Sequence, residues 1–422
     1  MSALSSAALS SVLSSTVPSS DVSGEPPLIG LAELIRRAMR GESLAPLAQA
    51  LKARLAANPD DANAMMDLSA VELMRGSPAA RRRLQEQALA RRNLFAQNER
   101  IPGAPRLLAL LAPGDFMANT PVELLLEGRS VNLDFLYVRD ESDLVDLPPH
   151  DVAYVAAAES RANQKILALI DEAAAHWPCP VLNHPAAIAR LTRDGAWRLL
   201  RDLDGVFYPE NRRLDREATA ALTGPFPLIV RPVDSHAGEE LEKIEGAPDL
   251  GAYLSAHRAD AFYVAPFIDY ARDDGKYRKI RMAFIDGEAF PIHYAVSSRW
   301  MVHYLNADML HNAEHRAEEE AFMRDFQAFA RRHAPALDAL KRRLGLDYFQ
   351  IDCAETADGR LLIFEIGTAM IAHDLDCPTT FPYKSAHMRR LFDAFARMVA
   401  ALPLSCATSF SGVAACAASM RK

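Results

Sequence analysis

The chain of 422 residues is 50% apolar and carries a formal net charge of −8 from intermixed acids and bases, an ordinary globular composition that argues against nucleic acid as the main partner. Its length suggests two to three structural units. Five scattered cysteines, Cys179, Cys353, Cys377, Cys406 and Cys416, lack metal-ligand spacing and fit a reducing cytoplasm; no stretch approaches the roughly 20 apolar residues of a membrane span.

Residues 1–27 are Ser-rich, without the basic start or sustained apolar run of a secretory signal, and are expected as a disordered leader. From 28 to 100 the pattern is helical: Leu31, Leu34, Ile35 and Met39 recur at helical spacing, as do Leu47, Leu51 and Leu55. Asn58-Pro59-Asp60-Asp61 opens a further helix and Gly76-Ser77-Pro78 turns into the next, a pair that resembles one tetratricopeptide unit. Because a solenoid needs about three repeats to stand alone, the segment reads as a helical prefix packed on the next domain, with a surface that can dock a protein or peptide partner. The arginines at 81–83 read as a solvated face.

After Pro102-Gly103 the period changes. Short apolar or alternating runs at 106–111, 131–138, 151–158 and 180–183, with an amphipathic helix at 163–175, predict an open parallel sheet over 103–185. No G-x-G-x-x-G is present, so a dinucleotide site has little support. The loop Ala112-Pro113-Gly114-Asp115 falls at the carboxyl end of the first strand, where ligands of such sheets usually bind.

Residues 182–203 run an Asn-x-Pro turn into a helix. In 226–241 an apolar strand ends in Arg231-Pro232 and is followed by the small-residue loop Asp234-Ser235-His236-Ala237-Gly238; a cation at a strand end, with hydroxyl and backbone N–H groups beside it, suits phosphate. An apolar strand at 261–270 follows. Residues 277–298 read as a hairpin turning on Asp286-Gly287, and period 2 sets Arg278 on the face of Ile280, Met282 and Phe284, with Lys279 and Arg281 on the other. The segment 297–306 is dense in aromatic and polar residues, and 318–343 is an amphipathic helix.

The stretch 344–371 reads as a tight hairpin. Asp358-Gly359 separates two apolar, β-branched or aromatic runs, a strong two-residue turn signal in which both positions need positive φ. Counting back from that turn sets Ala357 against Arg360 and Asp352 against Glu365. Opposed carboxylates at about 4 Å repel by about 4 kcal/mol at an effective dielectric near 20. Either a divalent cation with hard oxygen ligands relieves them, or one turns to solvent or meets a Lys or Arg. A helix at 388–402 closes the fold, and the small, polar tail 403–422 is expected to be disordered.

A strand ending in Asp, a short turn and a strand carrying Glu resembles the metal-binding hairpin of the ATP-grasp superfamily. The motifs at 182–203, 226–241, 261–270 and 277–306 follow in that family's order, so the resemblance covers roughly 103–402. It implies an α/β fold, an ATP-grasp core over 186–402 with a Rossmann-like lobe before it, preceded by a small all-α segment. It implies ATP and Mg²⁺ as cofactors, with carboxylate and amine substrates joined through an acyl phosphate. Asp352 and Glu365 are then expected as metal ligands. The family's third ligand, an Asn, falls at Gly367, and Gln350 across the hairpin is expected to fill its place, with His373, Asp374 and Asp376 as alternatives. Arg193, Arg231, Ser235, His236 and Gly238 are expected at the phosphates, and Val264, Phe267 and Asp269 at adenine and ribose. Arg281, Arg299 and Asn306 are expected on the reacting side. Four family positions are altered: the early Lys, the strand-end Lys, the hinge Glu and the Asn. The alternative is a non-catalytic nucleotide-binding protein whose helical prefix holds a partner.

Overall fold

The structure, a computed structural model, describes residues 26–97, 99–233, 235 and 238–402. The leader through residue 25, the tail 403–422, and Asp234, His236 and Ala237 of the small-residue loop lie outside the described residues. Four helices come first, Leu31–Met39, Ala45–Ala57, Ala62–Met74 and Pro78–Arg91. The Asp61 side chain caps the third by accepting from the Ala64 amide, and Gly76, at φ 79, lets the chain turn before Pro78 starts the fourth.

The third helix is apolar on two sides because it has two neighbours. Ala64, Leu68 and Val71 pack with Leu34 and Leu51, while Met65 and Met66, with Ala88 and Leu89, share a core with Phe95, Leu107 and Tyr154 of the next lobe. The helical pattern stops earlier than the sequence suggests. Leu94–Ala96 is a strand, β1, since Phe95 is 1% exposed and meets Tyr137 edge to face.

Four more strands complete that sheet: β2 (Arg106–Leu111), β3 (Asn132–Tyr137), β4 (Val152–Val155) and β5 (Val181–Leu182). The order is β1-β3-β2-β4-β5, parallel apart from the edge strand β1. The loop after β2, read from the sequence as a ligand loop, is tied to the prefix at Gly114. The Gly114 carbonyl accepts from Arg81 Nη1 and Gln85 Nε2, and its amide donates to Gln85 Oε1. Arg81 is thus a packing contact rather than a solvated charge.

After β6 (Val206–Phe207), the strands β7 (Arg212–Asp215), β8 (Leu228–Pro232), β9 (Glu242–Ile244) and β10 (Ala261–Pro266) form an antiparallel sheet in the order β7-β10-β8-β9. A third sheet runs β12-β11-β13-β14-β6, from β11 (Tyr277–Ile285), β12 (Glu288–Ser297), β13 (Tyr348–Glu355) and β14 (Leu361–Gly367). One face of this sheet is core: Ile280, Met282, Phe284, Phe349, Ile351 and Cys353 are buried together, with Phe284 stacked on Phe349 at 4.4 Å. The whole is the α/β architecture expected, an all-α prefix, a mostly parallel sheet and two largely antiparallel sheets.

The two Asp-Gly hairpins turn differently. At Asp286-Gly287 both residues have positive φ, 47 and 76, and Ile285 pairs directly with Glu288, a two-residue turn. At Asp358-Gly359 only the glycine does, and Thr356 is bonded to Arg360, so the loop holds three residues. That shifts the pairing by one, from Glu355↔Leu361 to Cys353↔Ile363. A bulge then skips Phe364 and restores Asp352↔Glu365. Ala357 does not face Arg360, yet the acids are opposed as counted, because the longer turn and the bulge offset each other.

Asn183 ties the parallel lobe to this sheet. It is fully buried, Nδ2 donates to the Tyr348 carbonyl at 2.7 Å and to Tyr154 Oη at 3.1 Å, and Oδ1 accepts from the Tyr348 amide at 2.8 Å. Its φ of 54 is a conformation that Asn adopts more readily than Ala. Asn183→Ala leaves two buried backbone groups unpaired and should lower stability by about 3 kcal/mol. Urea denaturation measures this, and a loss below about 1 kcal/mol would show that the lobes do not depend on this link.

Candidate active site

The register of the five-stranded sheet lines up His293, Arg281, Asp352 and Glu365 as one row across β12, β11, β13 and β14. Bulges interrupt β11–β12 beside Arg281 and β13–β14 beside Asp352, as often where a sheet re-aims side chains. Asp352 is 3% exposed. Arg281 donates from Nε to Oδ1 at 2.6 Å and from Nη2 to Oδ2 at 2.9 Å, and Lys279 Nζ donates to Oδ2 at 2.9 Å. Arg278, on the opposite face, pairs with Asp274 and Glu318. Period 2 dictates that division, and Lys279, which the resemblance does not single out, joins the cluster by the same rule.

Glu365 has its own cation. Arg193 opens the helix Arg193–Leu200, whose start is fixed by Thr192 accepting from the Gly195 amide. Its Nη2 donates to Glu365 Oε1 at 3.0 Å and its Nη1 to the Phe364 carbonyl at 3.2 Å. Arg231, 5% exposed near the end of β8, donates from Nε to Ser235 Oγ at 2.9 Å and also to the Ser235 carbonyl. The start of the small-residue loop therefore folds back onto its own arginine.

Burial alone would raise both carboxyls. The surrounding cations outweigh it: Arg281 and Lys279 hold Asp352 far below the ordinary range, and Arg193, helped by Arg231 and Arg281, holds Glu365 below it. Burial and the neighbouring Arg193 push Arg231 down to about 10, which leaves it charged at neutral pH. Burial, with Arg281 adding to it, pushes His293 well below the usual histidine range, so the ring is neutral, and its Nε2 has no hydrogen-bond partner among the described residues. Two carboxylates thus face four cations.

A cavity of about 80 Å³, room for several waters, adjoins this cluster. Arg193, Ser235, Tyr263 and Glu365 line it, together with Met117 and Ala158 from the parallel lobe. Strands of two sheets, β10 through Tyr263 and β14 through Glu365, and loops of the parallel lobe form its wall. Lys279 and Arg281 stand behind it, on the far side of Asp352 from Glu365.

Other expected residues lie elsewhere. Gly238 packs on the 297–306 segment, where an added Cβ would fall 2.4 Å from His303 Nε2. Val264 of β10 lies mid-strand between β7 and β8, and beyond the strand the Phe267 amide donates to the Pro227 carbonyl at 3.0 Å. Asp269 is exposed and accepts from the Ala271 amide. Arg299 is exposed. Asn306 ties its own loop, accepting from the His303 amide and donating to the Met301 carbonyl. Unforeseen in the sequence is a buried network behind that loop: Glu319, fully buried, accepts from the Tyr294 amide and from the Tyr304 and Tyr383 hydroxyls, with Lys384 Nζ at 3.5 Å.

A divalent cation does not fit the side chains as they stand. Both Asp352 oxygens already accept charge-assisted bonds, Glu365 is paired, and position 367 is glycine. Gln350 is fully buried, with Nε2 donating to Tyr348 Oη and the Met370 carbonyl; its Oε1 accepts nothing among the described residues, a single neutral oxygen. Asp374 and Asp376 bond Ser385 and Lys384, and His373 Nδ1 accepts from the Leu375 amide. Among the described residues no three His, Cys, Asp or Glu side chains gather where an ion could sit. The sequence left open whether metal or a basic side chain relieves the acid pair; Arg281, Lys279 and Arg193 do.

No family model matches the sequence and no curated protein matches it. Solved structures do resemble it. D-alanine–D-alanine ligase from Bacillus anthracis, complexed with ATP, is 14% identical over 71% of this chain and 98% of that one, with a TM-score of 0.42. The RimK domain protein ATP-grasp from Sphaerobacter thermophilus is 17% identical over 70% and 99%, at 0.41, and VanG D-Ala:D-Ser ligase from Enterococcus faecalis 13% over 70% and 99%, at 0.44. The architecture itself stands on the order and pairing of its strands. Among the described residues no helix is long and apolar enough to cross a membrane.

Asp352→Asn separates the two accounts of the acid pair. If Asp352 is chiefly repelled by Glu365, the substitution stabilises the fold. Because it neutralises Lys279 and Arg281, removing its charge should cost about 3 kcal/mol at pH 7. A carboxyl that titrates lower folded than unfolded gives stability that is full above about pH 4 and is lost as pH falls toward its folded value; Asp352→Asn should therefore flatten the acid side of a denaturation series.

Proposed function

We propose that the chain is an ATP-dependent ligase that joins a carboxylate to an amine. The observation that carries the reading is the meeting of four cations and two carboxylates beside a cleft between two sheets and the loops of the parallel lobe, an arrangement that suits a polyphosphate and a second, acidic reactant. In the reaction, a substrate carboxylate oxygen attacks the γ-phosphorus, the β,γ-bridging P–O bond breaks, and ADP leaves with the electron pair. An amine nitrogen then attacks the acyl carbon, the C–O bond to phosphate breaks, and phosphate leaves as the nitrogen gives up a proton to solvent.

Such a transfer asks the protein to position reactants and offset phosphate charge more than to exchange protons. Supporting this reading are Arg193 at a helix start and Arg231 at a strand end, each held by hydrogen bonds that fix the plane of its guanidinium. Ser235 brings a hydroxyl and its own backbone to the same spot. A second reading is favoured by one observation, the saturation of Asp352 by Lys279 and Arg281: a protein that binds the nucleotide without turnover, its helical prefix holding a partner.

Calorimetry with ATP, followed by ADP release in pools of amino acids and peptides, divides these readings. The ligase requires ADP to appear only when carboxylate and amine are both present. Binding without turnover in any pool selects the second reading, and absence of nucleotide binding contradicts both. Arg193→Gln should weaken ATP roughly tenfold or more.

A further inference from the structure

The metal expected from the resemblance and the side chains present disagree, and the disagreement points to a different role for the central carboxylate. We propose that Asp352 is the counter-ion of Lys279 and Arg281 rather than a ligand of a divalent ion, and that a nucleotide's phosphates are held in this cleft by arginine side chains directly, Arg193 and Arg231 foremost. The inference rests on the nucleotide-binding reading of the same cleft.

Three observations support it. Each Asp352 oxygen is taken: Arg281 reaches both and Lys279 reaches Oδ2, at 2.6 to 2.9 Å. A metal on Asp352 would have to displace two cations whose side chains are 9% and 21% exposed, leaving them without their partner away from water, a costly state. The remaining places in a coordination shell are poor. Gly367 brings no side chain, Gln350 is directed by bonds to Tyr348 and Met370, and Mg²⁺ demands near-octahedral oxygen geometry.

The phosphate side is better supplied. Arg193 and Ser235 both line the cavity, and Arg231 lies directly behind Ser235, bonded to its hydroxyl. Glu365 pairs with Arg193 through Oε1 alone, so Arg193 has a donor direction set but is not enclosed. The row behind, with Arg281 and Lys279 neutralised only in part by Asp352, keeps the potential positive.

Calorimetric titration of the full chain with a non-hydrolysable ATP analogue, once in EDTA and once in excess Mg²⁺, tests this. Direct holding predicts an affinity in EDTA that is within threefold of that in Mg²⁺, or tighter, since the free nucleotide carries more negative charge. An affinity more than threefold weaker in EDTA overturns the inference while leaving the nucleotide site intact. Absence of binding under both conditions removes the nucleotide reading and the inference with it. Lys279→Met, which leaves Asp352 one cation short, should introduce the missing dependence: affinity at least tenfold weaker in EDTA and partly regained with Mg²⁺. Equal loss under both conditions in that variant would count against Asp352 as a counter-ion of Lys279.

Discussion

The Asp352 carboxylate, shared between Lys279 and Arg281 of the neighbouring strand, is the interaction on which the rest of the site depends. Two cations on one face of β11 repel each other, and Asp352 is the buried acid directly across from Arg281 and bonded to both. Its charge is what allows them to stand away from water on a sheet whose other face is the main apolar core. Arg193 and Glu365 repeat the device one strand further on, where a helix start meets β14. The result is a layer of alternating charge laid over a hydrophobic sheet, and buried pairs of that kind are worth more for fixing orientation than for stability.

That layer gathers side chains from two sheets and one helix. β8 delivers Arg231 from the four-stranded sheet, the helix at 193–200 delivers Arg193 from the connection after the parallel lobe, and β11 delivers Lys279 and Arg281. Asn183, bonded to both backbone groups of Tyr348, holds the parallel lobe against the start of β13, two residues before Gln350 and four before Asp352. The helical prefix enters the same framework through Met65, Met66 and Leu89 and through Arg81 and Gln85 on Gly114. It is part of the lobe's core.

Much of this was legible in the residues because strands report their faces by alternation. Arg278 separates from Lys279 and Arg281 by period alone, and the opposition of Asp352 and Glu365 follows from counting. The opposition holds although the turn differs: Asp358 lacks the positive φ that Asp286 adopts in the same dipeptide, and the bulge at Phe364 returns the register. A dipeptide signal fixes that a hairpin turns, not how many residues the loop holds. What alternation cannot report is the partner across the sheet edge. That Arg193 would meet Glu365, that Gln85 would hold Gly114, and that Lys384 would sit beside Glu319 are long-range contacts between segments with no shared period. The bonding of Asp352 is of the same kind: the sequence offered metal, solvent or a basic side chain, and β11 lying beside β13 brings Lys279 and Arg281 to the carboxylate.

The central claim is that Asp352 belongs to its cations. A crystal structure of the protein grown with a non-hydrolysable ATP analogue and Mg²⁺ tests it most directly. The account predicts phosphates against Arg193 and Arg231, with Lys279 and Arg281 still bonded to Asp352. An ion coordinated by Asp352 and Glu365, with Lys279 and Arg281 swung away from the carboxylate, would contradict it.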